Sequence, residues 1–155
     1  MKLRIVWPIA FAAVSAAWFA PALGLSAPLW IDQTGDSMPV GLYELQRDAP
    51  IKPGAVVVIK RPSHFNLWWL MKRVEGMSGD VYCWRPDLGT HTLAGRIMPP
   101  PAPEAIAMGV PVWHECRALD ADELVGYGQS ATSYDSRYFG PIRLDQIWGV
   151  YRLHS

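Results

Sequence analysis

An excess charge of either sign is missing from this chain. Fourteen basic residues balance fourteen acidic ones, and no basic run or stripe appears, so the electrostatic footprint of a nucleic-acid binder is absent. Cysteine is scarce: Cys83 and Cys116 are the only two. No C-x-x-C pair exists, which removes the usual zinc frameworks. His91, His114 and Cys116 lie near one another in sequence without paired-ligand spacing. No metal or other cofactor is expected. There is no G-x-S-x-G elbow of the kind that presents a hydrolase serine, and no internal repeat. After residue 30 almost no amphipathic helical pattern occurs.

Charge is also absent from one long stretch. Lys2 and Arg4 are followed by 26 residues, Ile5 to Trp30, without a single charged side chain. As one helix that stretch would reach about 39 Å, more than the roughly 30 Å hydrocarbon core of a bilayer. Positive charge ahead of it predicts a cytoplasmic N-terminus and a translocated remainder. Residues 1–30 are therefore expected to form an uncleaved signal-anchor, with residues 31–155 as a periplasmic domain. The protein would be single-pass in the inner (cytoplasmic) membrane, with the lipid bilayer as a partner. Pro21 and Gly24 weaken the far end of the helix. A cleavable signal peptide, with Ala22, Gly24 and Ala27 as small residues for cutting, is the second reading. A buried helix of a soluble protein is the third.

What remains is a chain of short strands. Ile31 to Leu45 is turn-rich, a loop leading into a strand. Ala55 to Lys60 is a β-branched run and reads as a buried strand. Leu67 to Glu75 is a second strand, and Val81 to Trp84 a third. Met98 to Pro103 is extended, polyproline-like chain, expected as an exposed loop or flap. Val110 to His114 reads as a strand and Leu119 to Val125 as one helical turn. Ile147 to Leu153 reads as a closing strand. Together these predict a mainly β domain of roughly 125 residues. In an oxidising compartment Cys83 and Cys116 pair across a loop of about 33 residues, contributing about 3–4 kcal/mol. Two buried free thiols are the alternative.

Three segments carry chemistry. The first, Thr34-Gly35-Asp36-Ser37-Met38-Pro39-Val40-Gly41-Leu42-Tyr43, holds a serine in a loop constrained by Gly and Pro. A serine hydroxyl is a weak nucleophile until a base takes its proton. The second, Met71-Lys72-Arg73-Val74-Glu75-Gly76-Met77-Ser78-Gly79-Asp80, puts Lys72 behind the apolar run Trp68-Trp69-Leu70-Met71. A buried amine loses its charge more readily, and a neutral lysine is a competent base. Taken alone, Lys72 also fits a side chain that lays its stem on apolar surface and keeps its head in water. The third, Gly128 to Gly140, is dense in hydroxyls and holds Asp135 and Arg137 two residues apart. In extended chain these share a face and can pair.

The three segments, in this order, resemble the sequence boxes of type I signal peptidases. Those enzymes show S-M-x-P near the anchor, K-R-V-x-G-x-x-G-D in the middle and S-x-D-S-R-x-x-G near the end. Here the chain reads Ser37-Met38-Pro39, then Lys72-Arg73-Val74-Glu75-Gly76 with Gly79-Asp80. It ends on Ser133-Tyr134-Asp135-Ser136-Arg137 with Gly140. The form S-M-P-x-G-L-Y and the compact size are most similar to the conjugative-transfer branch, the TraF-type peptidases. The resemblance implies a signal-peptidase or LexA-like β fold behind one N-terminal transmembrane helix. It also implies a serine endopeptidase with a Ser/Lys dyad. Ser37 would attack the scissile carbonyl and Lys72 would act as general base. Ser133 would orient the Lys amine, and Asp135 and Arg137 would form the ion pair behind it. The Ser37 backbone N–H would supply one oxyanion donor. Several relatives place a serine two residues before the nucleophile. This chain has Gly35 there, with Thr34 as the available substitute. Ser78 stands where a proline is common. The implied substrate is a pilin precursor, cut and in some relatives cyclised. General removal of signal peptides from secreted or membrane proteins is the alternative.

Other classes stay open. Gly35-Asp36-Ser37 resembles the G-D-S around the nucleophile of trypsin-like enzymes, but the following Gly-Gly is missing. His64, His91, His114 and His154 sit in no recognisable setting. A non-catalytic anchored β scaffold of the conjugation apparatus predicts that Ser37→Ala is harmless. A LexA-like autoprotease shares the Ser/Lys logic, but neither the anchor nor the lack of a DNA-binding module suits it.

Overall fold

The computed structural model describes residues 27–60 and 69–154. The anchor expected over 1–30 falls almost wholly on residues outside this set, as does His64. Among the described residues no helix is long and apolar enough to cross a membrane.

Among the described residues eleven strands form two antiparallel sheets. They are β1 (Trp30–Gln33), β2 (Gly41–Gln46), β3 (Val56–Lys60), β4 (Trp69–Met77), β5 (Val81–Arg85) and β6 (Thr90–Leu93). β7 (Arg96–Ile97), β8 (Cys116–Ala118), β9 (Glu123–Tyr127), β10 (Ile142–Arg143) and β11 (Ile147–Leu153) follow. The larger sheet runs β1-β2-β11-β3-β4-β9-β10, and the smaller β7-β6-β5-β8. Two short helices, α1 (Pro103–Ala107) and α2 (Ser136–Phe139), complete the described chain with one 3-10 turn (Leu144–Gln146).

β3 is apolar at successive positions because both of its faces are covered. One face joins Val57, Ile59, Leu70, Val74, Leu124, Ile142 and Val150 in a core. The other joins Ile31, Met38, Tyr43, Val58, Met71 and Tyr151. Lys72 stands opposite Val57 in the β3–β4 register, between Met71 and Arg73. It therefore projects from the face of the first core, one residue out of phase with the second. A third cluster, Tyr82, Leu93, Met98, Leu119, Val125 and Tyr127, welds the smaller sheet to the larger.

Three local expectations are corrected. Val110 to His114 is not a strand; the strand is β8, where Cys116 lies directly opposite Cys83. Leu119 to Val125 is not helical. Its apolar part is β9, wholly buried between β4 and β10. A strand covered on both faces carries no period-2 signal, which hid it in the sequence. The Met98 to Pro103 stretch is extended but is no free flap, since Met98 and Ala102 are buried. Its backbone is used by others: Thr90 Oγ1 donates to Met98 O at 2.8 Å and the Ala102 N–H donates to Tyr138 Oη at 2.9 Å.

Cys83 and Cys116 form a disulfide. Of the alternatives open in the sequence, the paired one is present. The segment it closes, residues 84–115, includes the Pro100 and Trp113 backbones that reach α2.

Candidate active site

Three elements converge. Ser37 lies in the loop between β1 and β2, Lys72 in the middle of β4, and Ser133 in the loop between β9 and α2. Lys72 Nζ donates to Ser133 Oγ at 2.8 Å, and Ser133 Oγ donates to Ser37 Oγ at 3.0 Å. The expected meeting of amine and alcohol thus takes the form of a chain with Ser133 at its centre. Lys72 is 2% exposed, Ser133 is buried and Ser37 is half-buried. The chain therefore starts in the core and ends at the surface.

Burial is the largest influence on Lys72 and brings its pKa down to about 8. An ammonium loses most of its hydration there, so the neutral amine gains. Asp135 and Asp36 oppose the drop by stabilising the cation, while Arg137 adds to it. At a pKa of about 8, about one Lys72 in ten is neutral at pH 7, against about one in several thousand for a free lysine.

The loop that carries Ser133 is held from behind. Asp135 caps the N-terminus of α2 by accepting from the Arg137 N–H at 3.1 Å. Its carboxylate also takes Arg137 Nε at 2.8 Å and Nη2 at 2.6 Å, a paired fork geometry. Both side chains are fully buried. The remaining guanidinium N–H groups donate to the carbonyls of Ser130, Ala131, Ser133 and Pro100. Arg137 therefore fixes the loop by its backbone, and the polyproline-like stretch joins the same cage. Asp135 Oδ2 further accepts the Gly128 N–H at 2.9 Å. The expected pair is present with a larger task than pairing: it sets the path of residues 128–133.

The two serine loops are also tied directly. The Gln129 N–H donates to Ser37 O at 2.7 Å. Thr132 Oγ1 donates to Asp36 Oδ2 at 3.3 Å and shares a 2.7 Å bond with Ser130 Oγ. The Ser130 hydroxyl is the largest influence holding the exposed Asp36 carboxyl below its ordinary pKa, with its own backbone, Thr132 and the charge on Lys72 acting the same way. Asp36 and Gly128 were quoted in the sequence segments without a role. A carboxylate next to the serine and a glycine opening a hydroxyl-rich loop were the available signals. Ser136 was likewise unassigned; its Oγ accepts the Gly126 N–H at 3.0 Å.

Thr34 is exposed at the rim and makes no hydrogen bond among the described residues. The Ser37 N–H likewise donates to no described acceptor. Among the described residues no histidine bonds Ser37. His91 is buried among aromatic rings, with Nε2 2.8 Å from Trp113 O, and His154 packs edge-on against Trp30. Cys116 is taken by the disulfide, so the His91, His114 and Cys116 grouping offers no thiolate for zinc. No cluster that could hold a metal occurs among the described residues.

A buried amine, a bridging hydroxyl and a half-exposed hydroxyl can pass a proton without imidazole or metal. That capability suits the chemistry of a serine hydrolase in which lysine takes the place of histidine. The family profile "Signal peptidase, peptidase S26" matches residues 6–154, nearly the whole chain. The chain belongs to the S26 signal peptidase family and is a serine peptidase, whose substrates are secreted or membrane proteins. A signal peptidase I crystal structure from Enterococcus faecalis is similar at 17% identity. That likeness covers 66% of this chain and 97% of the other, with a TM-score of 0.41. A search of curated proteins gave no match.

Proposed function

We propose that Ser37 is the nucleophile and Lys72 the general base of a membrane-anchored endopeptidase. The observation that carries this reading is the continuous Lys72–Ser133–Ser37 chain at 2.8 and 3.0 Å with its inner end buried. With Lys72 charged, the chain runs outward from the ammonium. When the amine loses its proton it becomes an acceptor, and the direction reverses. The Ser37 hydroxyl then donates to Ser133, and Ser133 donates to Lys72. As Ser37 Oγ attacks the scissile carbonyl, its proton passes along this chain to Nζ. The ammonium next protonates the leaving amine, releasing one product and an acyl-enzyme. The regenerated amine activates the second nucleophile. The Ser37 N–H, which donates to no acceptor among the described residues, would receive the oxyanion, with Thr34 as second donor. One such donor is worth about 3–4 kcal/mol in the transition state.

Asp135 and Arg137 act through Ser133. They hold its loop so that the hydroxyl stays between the other two groups.

The substrate we assign is a pilin precursor of a conjugation apparatus, on the strength of the Ser37-Met38-Pro39-Val40-Gly41-Leu42-Tyr43 segment. The catalytic domain would stand in the periplasm, held by a single-pass anchor in residues 1–30. Water as second nucleophile gives hydrolysis. The N-terminal amine of the substrate portion held in the acyl-enzyme gives a cyclic pilin instead. Co-expression with the candidate pilin, followed by mass measurement, tests the assignment. Processing should vanish with Ser37→Ala and with Lys72→Ala while both variants stay folded. A product lighter than the hydrolysed form by one water identifies cyclisation. Processing that survives Ser37→Ala removes the nucleophile assignment and leaves the scaffold reading.

A further inference from the structure

His91 is a buried titratable side chain that the serine–lysine chain does not use. It lies on β6 and stacks on the Tyr82 ring at 4.9 Å, with Trp84 in a T-shaped contact at the same distance. Trp113 stacks on Tyr82 as well, at 4.6 Å. Burial is the largest influence on the imidazole and holds its pKa below the ordinary 6.5. His114 and Arg137 act the same way, while the Trp113 carbonyl and Asp135 oppose. The ring is therefore neutral at pH 7 and carries one N–H. Nδ1 has no hydrogen-bond partner among the described residues, and Nε2 lies 2.8 Å from Trp113 O. A carbonyl only accepts, so the proton stands on Nε2.

That bond begins a path to the site. The Trp113 N–H donates to Arg137 O at 3.0 Å, and the Trp113 indole fills the space that a side chain on Gly140, at the end of α2, would need. Arg137 in turn holds the carbonyls of Ser130 and Ser133. The His91 backbone begins a second path. Its carbonyl accepts the Met98 N–H at 2.9 Å, and two residues further on Pro100 O accepts from Arg137 Nη1 at 3.2 Å. Both limbs of the disulfide-closed segment are thus pinned by His91 before they reach Arg137. Any aromatic ring could pack against Tyr82; what imidazole adds is a donor that fixes the Trp113 carbonyl.

We propose that His91 is a positioning residue for the peptidase site, fixing through Trp113 and Arg137 the loop that carries Ser133. The proposal rests on the reading of Ser37 and Lys72 as the reacting pair. His91 touches neither of them; it acts on where the hydroxyl between them stands.

Three substitutions separate the donor from the ring. His91→Phe keeps an aromatic ring and loses the donor. His91→Gln loses the ring, but its amide nitrogen reaches the place of Nε2. The shorter amide of His91→Asn ends at the place of Nδ1. Full-length protein in nonionic detergent is used, with the pilin precursor as substrate. His91→Phe and His91→Asn should lower kcat by about tenfold or more with KM unchanged, as misplacement of a reacting group does. His91→Gln should recover most of that loss. Hydrogen–deuterium exchange read by mass spectrometry needs no turnover. Exchange over residues 128–137 should rise in His91→Phe and His91→Asn, stay near the parent's in His91→Gln, and be unaltered over β3 in all three. If His91→Phe does not fold, His91→Gln against His91→Asn decides alone. Equal kcat in the parent and His91→Phe overturns the proposal. So does an equal deficit in His91→Gln and His91→Asn. Exchange that rises over β3 as much as over residues 128–137 does the same, since His91 would then serve the core at large. Processing that persists in Ser37→Ala overturns the dyad instead, and a precursor left uncut by the parent overturns the pilin assignment. The exchange comparison, which needs no substrate, decides His91 in either case.

Discussion

The Ser133 hydroxyl fills the space in which a side chain on Gly128 would begin. Only hydrogen at position 128 lets Ser133 Oγ stand between Lys72 and Ser37. Gly128→Ala must push the hydroxyl aside, and the Gly128 N–H bond to Asp135 resists a shift of the backbone. Activity should fall by about a hundredfold, as displacements near 1 Å commonly produce. Stability should fall by only about 1–3 kcal/mol, the usual cost of overpacking. Initial rates against a urea melt give the comparison. A variant with full activity would show that Ser133 is not needed where it stands.

The pH dependence follows from the groups that face Lys72. Acylation should rise with pH through a midpoint near about 8, because the neutral amine is the base. Asp36 stabilises the ammonium from the adjoining loop, so removing its charge makes the amine easier to deprotonate. Asp36→Asn should therefore move the midpoint to lower pH. Asn retains an oxygen to accept from Thr132, so the loop contact survives. Single-turnover acylation rates from pH 5 to 10 read both values. A shift to higher pH, or a flat profile in the parent, is incompatible with Lys72 as base.

Much of this site was legible in the sequence, and the reasons differ by residue. Ser37, Lys72 and Ser133 were picked out by the resemblance of their three segments to the signal peptidase boxes, and hydrogen bonds link all three in the structure. The strands at Val56–Lys60, Val81–Arg85 and Ile147–Leu153 followed from β-branched and alternating runs. β8 was misplaced because its position is set by pairing with Val81 to Cys83, a long-range choice that Val110 to His114 mimics locally. The role of the proline-rich stretch was hidden for a similar reason. Pro100 offers only a carbonyl, and the donor that claims it, Arg137, is 37 residues away. Asp36 escaped assignment because its partners Ser130 and Thr132 come from the far end of the chain.

Asp135 and Arg137 make a sharp prediction about coupling. Each single truncation leaves a buried charge unpaired and should cost about 3–5 kcal/mol. Replacing both, with Asp135→Leu and Arg137→Met, removes the charges together and should restore part of that loss. Activity should not return, because the carbonyls of Ser130, Ala131 and Ser133 lose the guanidinium that tethers them. A double-mutant cycle in urea, run beside rate measurements, separates the two effects. Recovery of activity with recovery of stability would reduce the pair to a packing element.

Lys72 itself should be a burden on the fold. Its folded pKa, about 8, lies below the value of 10.5 expected in the unfolded chain. Between those values the unfolded state binds more protons, so stability rises with pH across that window. Below pH 8 the full penalty applies, on the order of 3 kcal/mol from a gap of roughly two and a half units. Lys72→Met keeps most of the side-chain volume among Val57, Leu70 and Val74 and removes the charge. It also gives up the 2.8 Å bond to Ser133, which retains its contact with Ser37. The variant should therefore be inactive and more stable than its parent at pH 7, with the advantage shrinking as the pH approaches 10.5. Denaturant midpoints at pH 6, 8 and 10 supply the curve. If the parent is the more stable of the two at pH 6, the amine is at ease where it lies, and burial is not what makes it a base.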